Sequence, residues 1–391
     1  MTADTSQRID IAIAGAGPTG LTLALALRRE LGPALAVAVF DPSLARPSAP
    51  DARASMIAAD GRRLMESVGA WPAEAFPVAG LHVTDSRLED VLRPTFLELA
   101  GSTPDGEPFA HMILDADLRA RLRQRAEADG VALMPAAVTE HAAGAGALRL
   151  VAGGRIFRAS LLIAADGAAS PTRGRERIAV HQFAYDQTAL VATLAHEAPH
   201  GGVAVQHFLP GGPFAMLPLS KNRSSLVWSE RRDVAKRMAA LDDEAFVAEV
   251  AARAGPEFGR ITLAGARGAF PLRFLLARSF VGQRVALVGD AGHVVHPLAG
   301  QGFNLALRDV ASLAGIVAGA ARRGEDVGSP ATLAAYERAR RFETASLGAA
   351  TDGLYRLFGH ESARGLRDVG MGLVDRAPGL KRRIVAAASG L

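Results

Sequence analysis

The sequence predicts an α/β fold in which a parallel sheet carries an inserted antiparallel sheet and is followed by C-terminal helices. Two observations support this fold class. The apolar runs 9–14, 161–165 and 285–288 each lead into a Gly or Asp residue, as buried strands do where they end in a loop. Between 181 and 272 the pattern changes to strand-like segments separated by Gly and Pro residues, which indicates an antiparallel sheet.

Composition limits the classes of function. The chain of 391 residues is long enough for two or three domains, or for one domain with an insertion. It contains no cysteine, which excludes disulfides, thiolate metal sites and cysteine catalysis and fits a reducing compartment. Its net charge of +4 comes from 44 basic and 40 acidic residues. No basic block is interleaved with aromatic residues, so we expect no nucleic-acid partner.

An uncharged stretch near the N-terminus, 11–27, has a composition that a signal peptide or a spanning helix could share. It contains Gly15, Gly17, Pro18 and Gly20, is too short to cross a bilayer, and follows acidic rather than basic residues. We therefore interpret it as strand, turn and helix. No other stretch approaches the length of a spanning helix, which predicts a soluble or peripheral protein.

A glycine-rich turn follows the first apolar run. Strand 9–14 leads into Gly15-Ala-Gly17-Pro18-Thr19-Gly20, and residues 21–29 have a helical pattern. The first glycine permits a tight bend, the second lets the backbone approach a pyrophosphate, and the third lets the helix pack on the strand. The next strand, 36–40, ends in Asp41, where a carboxylate can bind ribose hydroxyls. This spacing predicts a dinucleotide site.

Two later apolar strands also end in a carboxylate. Strand 161–165 leads into Asp166-Gly167, and strand 285–288 leads into Gly289-Asp290. Two such strand ends and a phosphate loop fit one bound dinucleotide better than three coincidences.

An extended turn and a helix follow the last of these strands. Pro297, Gly300 and Gly302 leave the turn without obstructing side chains, and a helix begins near Asn304. The free N-terminal amides of this helix attract negative charge.

The stretch from Gly289 to Asn304 resembles the G-D-A-x-H-x-x-x-P-x-x-G-x-G-x-N signature of the group A flavoprotein monooxygenases. The pattern His296-Pro-Leu-Ala-Gly-Gln-Gly-Phe-Asn-Leu305 with Arg308-Asp309 further resembles the ubiquinone-biosynthesis hydroxylases of that group, and the likeness covers nearly the whole chain. It implies a Rossmann-like FAD-binding domain of the p-hydroxybenzoate hydroxylase type, an inserted antiparallel β-sheet substrate domain and a helical C-terminus.

The resemblance also implies a reaction. NADPH or NADH reduces FAD, and the reduced flavin combines with O2 to give a C4a-hydroperoxyflavin, which hydroxylates the ring of a polyprenylated phenol. The helix start near Gly302 is suited to stabilise the anionic reduced flavin. His207, Tyr185 and His293 are candidates for orienting the phenol, but we assign none of them a catalytic role. No metal is expected, because His293 and His296 lack a third ligand.

Individual roles follow from the resemblance. Asp290 holds the ribityl chain, Arg53 reaches the pyrophosphate and ribityl region, and the backbone near Val138 meets the adenine. Asp166-Gly167 touches both FAD and the nicotinamide nucleotide. The family commonly has Asn-Arg where this chain has Asp115-Ala116. The remaining predicted cofactor residues are Gly15, Gly17, Pro18, Thr19, Gly20, Asp41, Gly289, Pro297, Gly300, Gln301, Gly302, Phe303 and Asn304.

The predicted domains are an FAD-binding domain of 1–71, 107–180 and 273–345 and a β-sheet substrate domain of 72–106 and 181–272, with 72–106 interpreted as loop-rich. The substrate is expected beside His207, Met216, Leu217 and Trp228. The segment 208–219 is almost wholly apolar, which favours a prenyl tail, whereas a soluble aromatic acid would need an Arg in that sheet. Helical patterns cover 21–29, 59–68, 113–129, 242–252, 309–322 and 332–346, and Asp115 or Asp117 can cap the third.

Two other functions stay open. One is a soluble aromatic-acid hydroxylase or a flavin halogenase, although the halogenase motif W-x-W-x-I-P is absent. The other is a non-catalytic flavoprotein subunit of a membrane-associated complex. The C-terminal segment 346–391 is predicted to be helical, and residues 380–385 combine apolar and basic side chains. That segment can bind a membrane surface or another ubiquinone-biosynthesis protein, or dock on its own domain. The predicted location is cytoplasmic or peripheral on the inner face of the membrane.

Overall fold

The computed structural model describes residues 6–46, 51–85, 95–100, 102–103, 106–144 and 146–359. Its strands are β1 (Gln7–Arg8), β2 (Ile11–Ala14), β3 (Val37–Phe40), β4 (Ala54–Ala58), β5 (Phe76–Pro77), β6 (Gly80–Asp85), β7 (Thr95–Ala100), β8 (Ala110–Leu114), β9 (Ala132–Met134), β10 (Val138–Ala143), β11 (Leu148–Ala152), β12 (Arg155–Ala159), β13 (Leu161–Ala164), β14 (Val180–His196), β15 (Val203–Leu209), β16 (Gly212–Leu219), β17 (Arg223–Arg231), β18 (Ile261–Ala277), β19 (Val281–Gly282), β20 (Val285–Leu287) and β21 (His293–Val294). Its helices are α1 (Pro18–Leu31), α2 (Ala59–Ser67), α3 (Asp115–Ala128), α4 (Pro171–Arg175), α5 (Arg232–Ala240), α6 (Asp243–Ala254), α7 (Gln301–Arg322) and α8 (Pro330–Gly359).

The first layer is a six-stranded sheet in the order β19-β20-β13-β2-β3-β9, parallel except at β19. Ile13 lies opposite Ile163 on one side and Val39 on the other, and all three side chains are fully buried. Side chains of α1, α3 and α7 complete this core. Because both faces of the sheet are covered, its strands are continuous apolar runs, which is why the sequence pattern reveals them.

The second layer is an eight-stranded sheet in the order β21-β18-β14-β17-β16-β15-β6-β7. Its two longest strands, β14 and β18, have 17 residues each and pair antiparallel along most of their length. One face packs with α5 and α6 around Trp228, Phe246 and Val250. The opposite face of β15, β16 and β17 is turned towards the carboxyl ends of the parallel strands.

Two small sheets complete the fold, in the orders β1-β12-β11-β10 and β4-β8-β5. The first packs on the parallel sheet, where the Phe157 and Phe40 rings meet edge to face with centroids 5.1 Å apart. The second carries β4 past the carboxyl ends of the parallel strands, so residues 53–56 border the space between the two large sheets.

Several expectations about local structure are wrong. The described part of 72–106 supplies β5, β6 and β7 rather than loops, and β6 pairs in parallel with β15. The third helix begins at Asp115 rather than Ile113, which belongs to β8. Neither Asp115 nor Asp117 caps it, because Leu114 occupies the N-cap. Helix α5 and the length of β18 were not predicted. Helix α5 has only nine residues, and a segment of that length carries a weak periodic signal.

Helix α7 corrects the expectation that no further stretch has the length of a spanning helix. Its 22 residues are long and apolar enough by length and composition alone. The helix packs on α1 and α8, and Leu313 and Val317 are fully buried in the core. A core helix of this kind passes the same test, so the composition of α7 is weak evidence for a membrane span. Residues 360–391, which include the basic and apolar pattern at 380–385, lie outside the described residues.

Candidate active site

A cleft of about 460 Å³ lies between the carboxyl ends of the parallel strands and one face of the antiparallel sheet. Open α/β sheets bind ligands at such a position. We call the loops after β2, β13 and β20, with β4 and the starts of α3 and α7, the first wall. The cleft-facing side of β6, β15, β16 and β17 is the second wall. The predicted site residues that line the cleft are Gly17, Pro18, Thr19, Arg53, Gly167, Leu217, Asp290, Pro297, Gly300, Gly302 and Phe303.

The glycine-rich turn after β2 has the backbone that its pattern predicts. Gly15 has a φ of +110°, and a Cβ at this residue would lie 2.2 Å from the Ala165 carbonyl oxygen. A Cβ at Gly20 would lie 2.1 Å from the Gly15 oxygen. Gly17 differs, because a Cβ there would meet nothing within 4 Å. Its open side leaves room for a phosphate at the N-terminus of α1.

Asp41 stabilises this turn and does not line the cleft. Its Oδ2 accepts a hydrogen bond from the Ala16 amide at 2.8 Å, and its Oδ1 accepts one from the Ser43 amide at 2.7 Å. Both oxygens keep a second acceptor position, so a contact with ribose hydroxyls stays a prediction. Val138 also lies outside the cleft lining and is buried in a core cluster with Phe40.

Asp290 extends from the loop after β20 into the cleft. Its carboxylate is open to the cavity yet lies deep among protein atoms, so burial raises its pKa, although His293, Arg53 and Arg273 act to lower it. Among the described residues, no group donates a hydrogen bond to this carboxylate. Both of its oxygens are therefore available to accept hydrogen bonds from a ligand in the cleft.

A second carboxylate, Asp309 of α7, holds the loop that carries Asp290. Its Oδ2 accepts a hydrogen bond from the Gly289 amide at 3.0 Å and lies 2.6 Å from the His293 Nε2, while its Oδ1 accepts one from the Arg340 Nε at 2.8 Å. Asp309 is fully buried. Burial acts to raise its pKa, but His293 and Arg340 outweigh burial and lower it. Asp309 therefore stays ionised and ties the loop to α7 and α8.

The turn before α7 brings backbone to the first wall. Gly300 has a φ of +63°, which favours glycine, and a Cβ there would lie 3.3 Å from the Met56 Cβ. A Cβ at Gly302 would meet nothing within 4 Å, so Gly302 leaves open space at the helix start. The Asn304 side chain faces away from the cleft. It accepts a hydrogen bond from the Ala58 amide at 2.8 Å and donates one to the Met56 carbonyl at 2.9 Å. Asn304 thus fixes β4 to α7, and Gln301 is also buried outside the lining.

Arg53 lies at the mouth of the cleft. It donates to Asp51 at 2.7 Å, and its guanidinium carbon lies 5.4 Å from the centre of the Phe270 ring of β18. Asp115 lines the cleft 3.8 Å from the Arg53 Nε and accepts a hydrogen bond from the Ser55 hydroxyl at 2.7 Å. Burial raises the pKa of Asp115, while Ser55 and Arg53 act to lower it. The carboxylate that replaces the family's usual Asn is thus part of the first wall.

Asp166 stabilises the start of the short helix α4, whose N-cap is Ser170. It accepts hydrogen bonds from the Ser170 hydroxyl and, at 3.0 Å, from the Thr172 amide. Its side chain does not line the cleft, whereas Ala165 and Gly167, on either side of it, do.

Three of the predicted substrate contacts lie on the face of the sheet that is turned away from the cleft. His207, Met216 and Trp228 point away from the cleft: Met216 and Trp228 belong to the core cluster of the sheet, and the His207 Nδ1 is 2.7 Å from the Thr84 hydroxyl. Successive side chains of a strand point to opposite faces, so the neighbours of these residues reach the cleft. The residues of the second wall are Leu81, Gln206, Pro213, Ala215, Leu217, Val227 and Ser229.

Of the three side chains considered for orienting a phenol, one lines the cleft. That residue is His293, which is paired with Asp309. Tyr185 donates its hydroxyl to Asp352 at 3.2 Å, and burial raises its pKa. His296 is fully buried beside Gln187, and burial lowers its pKa to about 4, so it is neutral and outside the cleft lining.

Comparison with known proteins identifies the family. The profile of the FAD binding domain family matches residues 8–347. The chain belongs to this family. It is 38% identical to ubiquinone hydroxylase UbiL of Rhodospirillum rubrum, over 100% of this chain and 91% of that protein. It is 32% identical to 3-demethoxyubiquinol 3-hydroxylase of Escherichia coli, over 99% of this chain and 100% of that protein.

Solved structures agree on the fold. p-Nitrophenol 4-monooxygenase PnpA of Pseudomonas putida superposes with a TM-score of 0.80 at 16% identity, covering 97% of this chain and 98% of that one. The predicted family, fold class and FAD cofactor are therefore confirmed. The site residues predicted from the sequence of this FAD-binding protein did not include four that line the cleft: Asp115, Gln206, Ala215 and Val227. Strand alternation was the available signal for the last three, but the face could not be chosen from sequence.

Proposed function

We propose that this protein is an FAD-dependent monooxygenase that uses NADPH or NADH and O2 to hydroxylate the aromatic ring of a polyprenylated phenol in ubiquinone biosynthesis. One observation carries the proposal: a single cleft joins a wall of strand-end loops, suited to a dinucleotide, to a sheet wall that has no charged residue among its described cleft-lining side chains. The two relatives named as ubiquinone-pathway hydroxylases support the same reaction.

The first wall fits FAD on its own geometry. Gly17 and Gly302 have open space where a side chain would stand, and the Asp290 carboxylate lacks a protein donor among the described residues. The turn after β2 and Arg53 would bind the pyrophosphate, Asp290 would accept hydrogen bonds from ribityl hydroxyls, and the start of α7 would face the flavin ring. Bound FAD supplies the redox chemistry that activates O2.

The protein's own contribution is to position groups and to exclude water. Asp309 holds the Gly289–Asp290 loop through the Gly289 amide, so Asp290 is aimed into the cleft before FAD binds. The free amides at the start of α7 offer positive charge where negative charge develops on a reduced flavin. Leu217, Val227 and Ala215 line the second wall with apolar surface, which excludes water from the ring.

The uncharged second wall favours a prenylated phenol over a soluble aromatic acid. An aromatic carboxylate would bury a charge against Leu217 and Val227 with no cationic partner on that wall. A prenyl tail instead gains about 0.8 kcal/mol for each buried methylene group. Because such a substrate resides in a membrane, we propose that the enzyme is cytoplasmic and binds peripherally to the inner face of the membrane. Sedimentation of the protein with phospholipid vesicles tests this membrane contact.

The test compares ring hydroxylation of 2-farnesylphenol and of 4-hydroxybenzoate by the FAD-loaded protein. Product formed per NADPH oxidised is expected to be higher with the farnesylated compound. Equal or better coupling with the unfarnesylated acid would favour the aromatic-acid hydroxylase. If neither compound stimulates oxidation of NADPH or NADH, the protein is the non-catalytic flavoprotein subunit instead.

A further inference from the structure

Gln206 is the polar side chain that the second wall presents to the cleft. It lies near the middle of β15, opposite Ala215 of β16 and Val83 of β6, and it lines the cleft among Leu217 and Val227. Its neighbours Val205 and His207 are buried on the other face. Alternation along the strand and the cleft lining therefore agree on the direction of this side chain.

The other polar residue of the second wall, Ser229, borders the cleft without exposing its hydroxyl. Ser229 is 1% exposed, and its hydroxyl is fully enclosed and without a hydrogen-bond partner. Gln206 is only partly buried, and none of the described residues forms a hydrogen bond with its side-chain amide. An amide that faces an apolar cavity without a partner loses hydrogen bonds when a ligand displaces water, unless the ligand replaces them.

We propose that Gln206 is the specificity-determining residue that binds the ring oxygen of the substrate. This inference rests on the proposed function, because it names the group of the substrate that this wall recognises. The amide can donate to a phenol or phenolate oxygen and can accept from a phenol hydroxyl, but it carries no charge with which to neutralise a carboxylate. It orients the ring across the cleft from the start of α7, so that a carbon next to the hydroxyl faces the first wall.

The geometry also explains why the group is an amide. A Lys or Arg at this position would bury its charge among Ala215, Leu217 and Val227, whose side chains offer no counter-ion. A ring without a hydroxyl would leave the Gln206 amide unpaired, so the site binds it less tightly than a ring that carries a hydroxyl. Gln206 thus supplies discrimination that the apolar residues of the wall cannot.

The test is a binding cycle on the FAD-loaded protein, with Gln206→Met as the variant and 2-farnesylphenol and farnesylbenzene as the ligands. Dissociation constants are measured by calorimetry. Gln206→Met is expected to raise the dissociation constant of 2-farnesylphenol about tenfold and to leave that of farnesylbenzene unchanged. Gln182→Met, at an exposed position of β14 outside the cleft, is the matched control and should change neither constant. FAD content and reduction by NADPH verify that each variant is folded.

Two results would overturn the role of Gln206: equal weakening of both ligands, or unchanged binding of 2-farnesylphenol. Gln206→Ala repeats the cycle if Gln206→Met does not fold. If wild-type protein binds neither farnesylated ligand, the proposed substrate is wrong, and the same cycle is run with 4-hydroxybenzoate and benzoate. A loss specific to the hydroxylated acid then still supports Gln206, and the absence of such a loss contradicts it.

Discussion

On the first wall of the cleft, functional groups lie in loops at the ends of buried strands, whereas on the second wall they are alternate side chains within strands. The first wall contacts a ligand largely through backbone, at Gly17, Gly300 and Gly302, and through carboxylates at strand ends. The second wall contacts it through Leu217, Val227 and their neighbours. A loop position is marked by residue type, but the face of a strand depends on register, and a shift of one residue exchanges every contact.

The largest effect is expected on the first wall, from Asp309→Ala. The change removes the partner of Arg340 and His293, which are 4% and 2% exposed, and releases the Gly289 amide. Arg340 keeps its ion pair with Glu343 but loses its buried carboxylate partner, and the Gly289 amide loses its acceptor. The free energy of unfolding should therefore fall by about 3 kcal/mol, with loss of FAD. Urea unfolding and flavin absorbance measure both. Glu325→Ala, which breaks an exposed ion pair with Arg323, is the control and should change neither quantity. Wild-type stability for Asp309→Ala would contradict the network.

The second wall is tested by a pair of adjacent residues on opposite faces. Met216→Ala should lower the free energy of unfolding by about 2–5 kcal/mol, because Met216 is 1% exposed in the core. Its effect on the KM for a prenylated phenol should be small. Leu217→Ala should cost less stability and raise that KM, because Leu217 lines the cleft. If the two variants exchange these effects, the register of β16 is wrong.

The glycines of the first wall separate folding from cofactor binding. Gly17 has a φ of −70°, which any residue can adopt, and its Cβ would enter open space. Gly17→Ala should therefore leave the unfolding temperature of the apoprotein unchanged. It should raise the dissociation constant of FAD at least tenfold, which corresponds to about 1.4 kcal/mol of binding free energy. Gly20→Ala is the contrasting variant, because its Cβ would lie 2.1 Å from the Gly15 oxygen and should destabilise the apoprotein itself. Fluorescence titration with FAD and thermal unfolding distinguish the two cases.

The smallest expected effect is the pH dependence of the two carboxylates. Burial raises the pKa of Asp290, so the folded apoprotein binds its proton more tightly than the unfolded chain, and stability falls as pH rises through that pKa. Asp290→Asn removes this penalty. The variant should match wild type below about pH 4, the ordinary pKa, and become the more stable as pH rises. Urea titrations of apoprotein across this range give the difference, and a constant difference would exclude the shift.

Asp309 should show the opposite sign. Its pKa is lowered by His293 and Arg340, so its stabilisation is present above the ordinary pKa of about 4 and is lost as pH falls through the lowered value. Asp290 lies on the loop that Asp309 holds through the Gly289 amide. Only Asp309, which has hydrogen-bond partners, stabilises the fold. The unpartnered one is available to a ligand.

The sequence predicted the first wall well because special residue types mark it. Gly15, Gly17 and Gly20 have the backbone or packing that the pattern requires, and the strand before Asp290 is buried as its apolar run indicates. It did less well for polar residues whose partners are distant in the chain. Asn304, predicted beside the flavin, is engaged with β4, about 250 residues earlier in the chain. No local pattern indicates such a partner.

From the sequence alone follow the parallel strands, the phosphate turn, the carboxylate at the end of β20 and the family to which they point, since each depends on residue type and short spacing. Tertiary structure decided which face of β15, β16 and β17 lines the cleft, so Gln206 and Leu217 face it while His207 and Met216 pack in the core. It also decided that Asp309 is paired and Asp290 is not. Both faces of this sheet carry apolar residues, so alternation is hidden in the sequence, and only the packing of α5 and α6 against one face makes the other the wall of the site.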